Sequence, residues 1–343
     1  MSVRVLQAMA GARHGGAEAF FTRLVAALGR AGQAQHILIR RDADRRNALR
    51  QAGLSPVELR FGGPLDLFTR RAFRREVAAY RPELVLTWMS RATAACPSGS
   101  FVHAGRLGGY YNLKYYRRCD HLIGNTPDIV DYIVREGWPA ERAHYLPNFV
   151  SDRTAPPMPR ETLQTPADAP LLLALGRLHE NKAFDVLLDA LSALPAAYLW
   201  LLGDGPLEAS LQAQCVRLGL DQRVRFVGWQ ADPAPYYAAA DLIVCPSRVE
   251  PLGNVVVEAW AQAKPIVAAA VQGPAFLIDD GVSGLLTPPD DASALAAAIA
   301  RVLESNDLAA ALAAGGRERY EAEFTEARVV AQYRSFFDLA VDR

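Results

Sequence analysis

Residues 242–258 read Leu242-Ile-Val-Cys-Pro-Ser-Arg-Val-Glu250-Pro-Leu-Gly253-Asn254-Val255-Val-Val-Glu258. The opening run, Leu242–Cys245, is short, apolar without alternation and closed by proline, as a strand buried on both faces should be. An apolar helical segment follows, starting near Gly253. Strand, loop and helix in this order form one unit of a parallel sheet covered by helices. The open amides of a helix start, here Gly253, Asn254 and Val255, face an anion such as a phosphate. Glu258 falls on the second turn, among Val255, Val256, Val257, Ala259 and Trp260, where an acid is unfavourable unless paired. A carboxylate so placed accepts from both hydroxyls of a ribose. The competing reading is an ordinary capping acid at Glu250 and an exposed helix acid at Glu258.

The same alternation extends outward in both directions. Leu171–Leu175, Tyr198–Leu202, Val224–Val227, Pro265–Ala269 and Gly284–Thr287 read as further strands, separated by helices at Phe184–Leu194, Leu207–Leu218, Val255–Ala263 and Ala292–Glu304. In the N-terminal half, strands are predicted at Val3–Met9, His36–Arg40, Leu84–Trp88, Ser100–His103 and Asp120–Asn125, with a helix at Ala17–Ala31. Between the halves, Pro156, Pro157, Pro159, Pro166 and Pro170 interrupt a stretch without period, which reads as a linker. A chain of 343 residues exceeds one ordinary core. The expected organisation is a domain at 1–152, a linker at 153–170, a second domain at 171–324 and a final helix at 325–343 that could pack on either. The fold class is α/β, two Rossmann-like doubly wound domains facing a cleft where ligands bind.

Two more loops follow predicted strands. Gly11-Ala-Arg-His-Gly15-Gly16 opens the first helix, where glycines let amides approach a phosphate. The spacing is not G-x-G-x-x-G, and strand two ends in Arg40-Arg41 instead of a ribose-binding acid, so a nicotinamide dehydrogenase is disfavoured. Gly176-Arg177-Leu-His-Glu-Asn-Lys182 places two cations at a helix start, suited to a pyrophosphate or merely to solvent.

Composition is globular, with 51% hydrophobic residues, and no apolar run approaches a bilayer span. The N-terminus lacks the apolar region of a signal peptide, so a cytoplasmic location is expected. The four cysteines, Cys96, Cys119, Cys215 and Cys245, are scattered and read as buried thiols. Charge is divided: residues 1–150 hold 22 Lys and Arg against 12 Asp and Glu, while residues 151–343 hold 15 against 25. Arginines gather at 40–50 and at 70–75, and further cations lie at Lys114, Arg117 and Arg118. A solvated arginine face accounts for this, as does contact with an anionic membrane surface or acidic acceptor; nucleic acid is disfavoured because no reader motif accompanies the charge.

The Glu250-x7-Glu258 spacing with its internal Pro-x-Gly resembles the signature of retaining glycosyltransferases of family four, which have the GT-B fold. Gly-Gly-Ala-Glu at 15–18, Leu146-Pro-Asn148, Gly176-Arg-x4-Lys182, Leu202-Gly-Asp-Gly205, Val224-Arg-Phe-Val-Gly228, Lys264-Pro-Ile-Val267 and Asp280-Gly-Val-Ser-Gly284 follow the same pattern in order. The resemblance implies that Arg177 and Lys182 bind the donor diphosphate, Glu258 the ribose, and the backbone at Val227 and Gly228 the base. It implies that Glu250 lies against the donor sugar, with the amides of Gly253, Asn254 and Val255 helping to hold sugar or phosphate. Gly15 and Gly16 approach the donor phosphate or the acceptor from the other domain, and His103 is similar to an active-site histidine that contacts the donor sugar. The expected partners are a nucleotide sugar and a saccharide or lipid-linked acceptor of a cell-surface polysaccharide or lipopolysaccharide, with no cofactor and no obligatory metal. Gln272-Gly-Pro-Ala-Phe276 departs from the family, which usually has an acid beside proline there. The segment Arg106–Tyr116 is unusually aromatic and basic, suited to stacking an acceptor sugar, touching membrane or packing on itself. Rival readings are a metal-dependent transferase using Asp42-Ala-Asp44, a nucleotide-sugar epimerase of similar fold, and a donor-binding subunit without turnover.

Overall fold

The computed structural model describes residues 2–12, 15–63 and 66–342, which fall into two compact units: 1–149 with 326–343, and 150–325. In the first, β1 (Val5–Met9), β2 (Gln35–Arg40), β3 (Val57–Leu59), β4 (Leu84–Trp88), β5 (Val102–Leu107), β6 (His121–Gly124) and β7 (Ala143–Tyr145) form a parallel sheet in the order β3-β2-β1-β4-β5-β6-β7. Its helices are α1 (Gly16–Arg30), α2 (Ala43–Gln51), α3 (Leu67–Tyr80), α4 (Met89–Ala95) and α5 (Pro127–Arg135). Polar side chains cap three of them: Asp42 accepts from the Arg45 amide, Asp66 from Thr69 and Thr126 from Ile129. The central strands β1 and β4 are buried throughout, because helices cover both faces of the sheet.

The second unit repeats the plan. Its strands are β8 (Leu171–Leu175), β9 (Tyr198–Leu202), β10 (Val224–Gly228), β11 (Leu242–Cys245), β12 (Ile266–Ala269) and β13 (Leu285–Thr287), in the parallel order β10-β9-β8-β11-β12-β13. Seven helices follow its strands: α6 (Phe184–Ser192), α7 (Glu208–Arg217), α8 (Ala234–Ala239), α9 (Asn254–Ala261), α10 (Gln272–Leu277), α11 (Ala292–Leu303) and α12 (Asn306–Glu323). One core gathers α6, α7 and α11 on one face of the sheet, and another gathers α8, α9 and α12 on the other. The winding reverses between β8 and β11, and the crevice at the carboxyl ends of two such strands is where ligands bind in this architecture.

The stretch expected to be a linker is instead packed into the second unit. Arg160 donates to the carbonyls of Ala169 and Ala239 at 2.8 and 2.7 Å and pairs with Asp241, while Thr165 accepts from the buried Trp200 indole at 2.9 Å. The last helix, α13 (Glu326–Val341), belongs to the first unit, burying Val329, Tyr333, Phe336 and Phe337 against α1 and the sheet. Tyr333 accepts a 2.8 Å bond from Arg106, whose guanidinium lies 4.5 Å from the Trp88 ring centroid and 4.8 Å from that of Phe20 and also reaches Asn148 at 2.5 Å. Arg106 is 2% exposed, and these partners offset the burial of its charge.

Candidate active site

The loops leaving β8 and β11 meet at the reversal point of the second unit. After β8 come Gly176 and Arg177, then a single 3-10 turn, Glu180–Lys182. After β11 come Ser247, Arg248 and Glu250, then Gly253 as the N-cap of α9. The Lys182 ammonium bonds the Glu250 carboxylate. The other Glu250 oxygen accepts from the Gly253 amide at 3.3 Å, and the Ser247 hydroxyl lies 3.4 Å from the first. Burial opposes charge on Lys182, but the neighbouring Glu250, with Glu258 behind it, outweighs burial and holds the ammonium above the ordinary lysine range.

Glu258 stands on α9 between buried Val257 and Ala259, and the Tyr237 hydroxyl donates to it at 2.9 Å from α8. Tyr237 is fully packed, and burial, reinforced by Glu258, drives its hydroxyl well above the usual range, so it remains a donor. Arg177 is exposed and makes no hydrogen bond or ion pair with the described residues. Asn254 and Val255 begin α9 as expected, which points the first-turn amides outward from the carboxyl end of the sheet. Val227 and Gly228 close β10, and the Gly228 carbonyl accepts from Gly203 at 2.9 Å while the Leu202 carbonyl accepts from Gly176 at the same distance. The loops after β8, β9 and β10 are thereby stitched edge to edge.

Arg248, which sequence reasoning passed over, fastens the two central loops. Its guanidinium takes both Asp185 oxygens at 2.9 and 2.7 Å, the Glu180 carbonyl at 3.0 Å and Asp290 at 2.5 Å, while its amide bonds the Asn181 carbonyl at 2.8 Å. Lys182 and Glu250 are held in register by that clamp. An arginine two residues before Glu250 was visible in the sequence; its four partners were not.

The constellation offers a partly buried cation, a helix start and a braced carboxylate within one loop cluster, which is chemistry for a phosphate beside a diol. Two family models match the chain: one described as Glycosyltransferase Family 4 over residues 14–154, and one described as Glycosyl transferases group 1 over residues 169–305. Over 331 residues the chain is 37% identical to the lipopolysaccharide core biosynthesis glycosyltransferase LpsE of Rhizobium meliloti (strain 1021), covering 94% of this chain and 95% of that protein. The chain belongs to glycosyltransferase family 4. A second Rhizobium meliloti protein, the lipopolysaccharide core biosynthesis glycosyltransferase LpsD, is 35% identical over 95% of this chain and 96% of its own length. Among solved structures, a glycosyltransferase from Rickettsia africae ESF-5 superposes with a TM-score of 0.88 at 18% identity over 99% of both chains. Anabaena Alr3699/HepE, in complex with UDP and glucose, gives 0.84 at 22% over 98% of this chain and 99% of its own. The fold is GT-B, and the protein is a glycosyltransferase.

One expectation in the first unit of this family 4 glycosyltransferase is corrected by the structure. His103 does not stand at the carboxyl end of its strand: it lies at the amino end of β5, 5% exposed, with its Nε2 3.0 Å from the Thr87 hydroxyl and 3.8 Å from Cys119. Burial pushes its pKa down to about 4, leaving a neutral core imidazole. The strand it was expected to end runs on to Leu107. Gly15 makes room for a side chain of the protein itself: a β-carbon there would stand 2.3 Å from the Glu18 carboxylate, which takes the Ala12 amide at 2.7 Å. Gly15 is exposed as the N-cap of α1, and Gly16 is its exposed first residue. Arg13 and His14 of that loop lie outside the described residues. Asp42, from the rival metal reading, is the cap of α2.

Proposed function

We propose that this glycosyltransferase moves a sugar from a nucleoside diphosphate donor onto a saccharide or lipid-linked acceptor in lipopolysaccharide core assembly, at the cytoplasmic side of the membrane, with retention at the anomeric carbon and no obligatory metal. The observation that carries the donor half is the joining of Lys182, Glu250 and the Gly253 amide beside the braced Glu258 at the reversal point of the second sheet. Lys182 keeps N–H donors beyond the one given to Glu250, and these with exposed Arg177 suit the two phosphates. They act most strongly as the diphosphate departs and its charge grows. Glu258, fixed by Tyr237, suits the ribose hydroxyls, and Glu250 suits the donor sugar as it becomes oxocarbenium-like. The acceptor half rests on the full-length likeness to LpsE and LpsD.

The test is turnover. The protein is incubated with a panel of nucleotide sugars, with and without lipopolysaccharide acceptors truncated in the core, and with and without chelator. Nucleoside diphosphate release coupled to an α-linked product from an α-linked donor, unaffected by chelator, is expected. Donor isomerised without release makes the protein an epimerase, and binding without turnover makes it a donor-holding subunit; either sinks the proposal.

A further inference from the structure

The Glu250 carboxylate occupies the groups that a phosphate would use. One of its oxygens takes the Lys182 ammonium, with the Ser247 hydroxyl 3.4 Å away. The other accepts from the Gly253 amide at 3.3 Å, where α9 begins. A lysine, a hydroxyl and the amide at a helix start are the groups that hold an anion in a crevice of this kind. Here the anion is a side chain of the protein. The Gly253 amide carries one hydrogen, so it cannot serve both Glu250 and a phosphate. The Lys182 ammonium has further hydrogens, but a diphosphate brought to it meets the Glu250 carboxylate at contact distance. Like charges so close repel strongly where little water screens them.

The backbone on either side of Glu250 is fixed. The Arg248 and Val249 amides donate to the Asn181 carbonyl at 2.8 and 3.2 Å, and the Glu250 carbonyl accepts from the Gly273 amide at 2.8 Å. Lys182 is confined too, since its stem runs so close to Gly176 that a β-carbon there would stand 3.1 Å from Cε. The Glu250 side chain, 12% exposed at the end of rotatable bonds, is the part left to move. We propose that Glu250 is an exchangeable anion: the donor diphosphate displaces its carboxylate from Lys182 and the Gly253 amide, and the released carboxylate turns to the donor sugar. When the diphosphate departs after transfer, the carboxylate returns to those groups and speeds its release. Resting on the donor site proposed above, this exchange couples the filling of the phosphate subsite to the delivery of a carboxylate to the sugar. It also lowers diphosphate affinity, because the site binds only in the fraction of molecules from which the carboxylate has withdrawn.

The experiment is calorimetric titration of UDP, GDP, ADP and inorganic pyrophosphate into the full chain as wild type, Glu250→Gln, Lys182→Ala and the double variant, with each unfolding midpoint recorded. Glu250→Gln keeps the size of the side chain and loses the competing charge. It should bind the diphosphates that the wild type binds roughly tenfold more tightly, the gain expected where the carboxylate holds the site about nine-tenths of the time. With Lys182→Ala present there is no ammonium to contest, and the gain from Glu250→Gln should shrink to about threefold or less. Glu250→Asp draws the carboxylate back while keeping its charge, and should also tighten binding, which serves if Glu250→Gln does not fold. A gain of equal size with and without Lys182 is repulsion without exchange and overturns the proposal. Unchanged or weaker diphosphate binding by the folded Glu250 variants overturns it as well. No binding by the wild type, or wild-type affinity in Lys182→Ala, is instead the failure of the donor site itself, and takes the exchange with it.

Discussion

Glu258 is an acid on an apolar helix, and the Tyr237 hydroxyl reaching it from the core makes it tolerable and fixes its direction. Replacing Glu258 by Ala removes a charged acceptor and should weaken nucleoside diphosphate binding by about 1.5–3 kcal/mol, roughly tenfold to a hundredfold, without unfolding the chain. Tyr237→Phe keeps the packing and loses only the bond. It should weaken binding of a ribonucleotide by about 0.5–1.5 kcal/mol and leave a 2′-deoxyribonucleotide little changed, as calorimetry with the paired ligands would show. Equal losses for both ligands would point to general loosening of α8 instead. His103 makes a different prediction. Its pKa is about 4 in the fold and ~6.5 in the unfolded chain, so between these values the unfolded state binds more protons. Stability is full above pH ~6.5 and falls as pH drops towards ~4, by at most about 3 kcal/mol from this group. Urea unfolding of His103→Gln should show a shallower loss across that window than the wild type; parallel curves would rule the buried imidazole out as the cause.

The loops between elements set the site's geometry, and they show where sequence reading reached its limit. The predicted strands at Leu84–Trp88, Leu171–Leu175, Tyr198–Leu202 and Leu242–Cys245 have the observed bounds, since buried parallel strands are continuous apolar runs that need no partner to be recognised. Strand β5 was read too short because Gly105 and Arg106 look like a strand end; Arg106 lies inside only through Tyr333, Asn148, Trp88 and Phe20, contacts reaching as far as 227 residues along the chain. That one error moved His103 to the carboxyl edge. The acidic and cationic positions of the second unit, Lys182, Glu250 and Glu258, were legible because each follows a clear strand or opens a clear helix. Arg248 and Tyr237 were not, since their roles depend on partners from other elements. At this scale the contact between the β8 and β9 loops is tightly constrained. A β-carbon on Gly203, whose φ is 134°, would stand 2.0 Å from the Gly176 carbonyl oxygen. Gly203→Ala should lower the stability of the second unit by at least about 2 kcal/mol and displace Gly176 and Arg177, with loss of donor affinity. Normal affinity and an unchanged unfolding midpoint would show that the loop can yield.

Each unit buries its own cores, and the first recruits its last helix from the far end of the chain. Removing residues 326–343 strips Val329, Tyr333, Phe336 and Phe337 from that core and leaves Arg106 without its hydroxyl partner. At about 1.5–3 kcal/mol for each large apolar side chain, the loss matches the whole stability of an ordinary domain, and the truncated chain should aggregate or show an unfolded first unit by near-ultraviolet circular dichroism. The account as a whole depends on the second unit gripping the two phosphates of a sugar nucleotide between Lys182 and the start of α9, with the ribose on Glu258. The direct measurement is calorimetric titration of nucleoside diphosphates into the wild type, Lys182→Ala and Glu258→Ala. The account predicts saturable binding of at least one diphosphate by the wild type, weakened tenfold or more in each variant on the order expected for a charged contact, with unfolding midpoints retained. Wild-type affinity in either well-folded variant would contradict it.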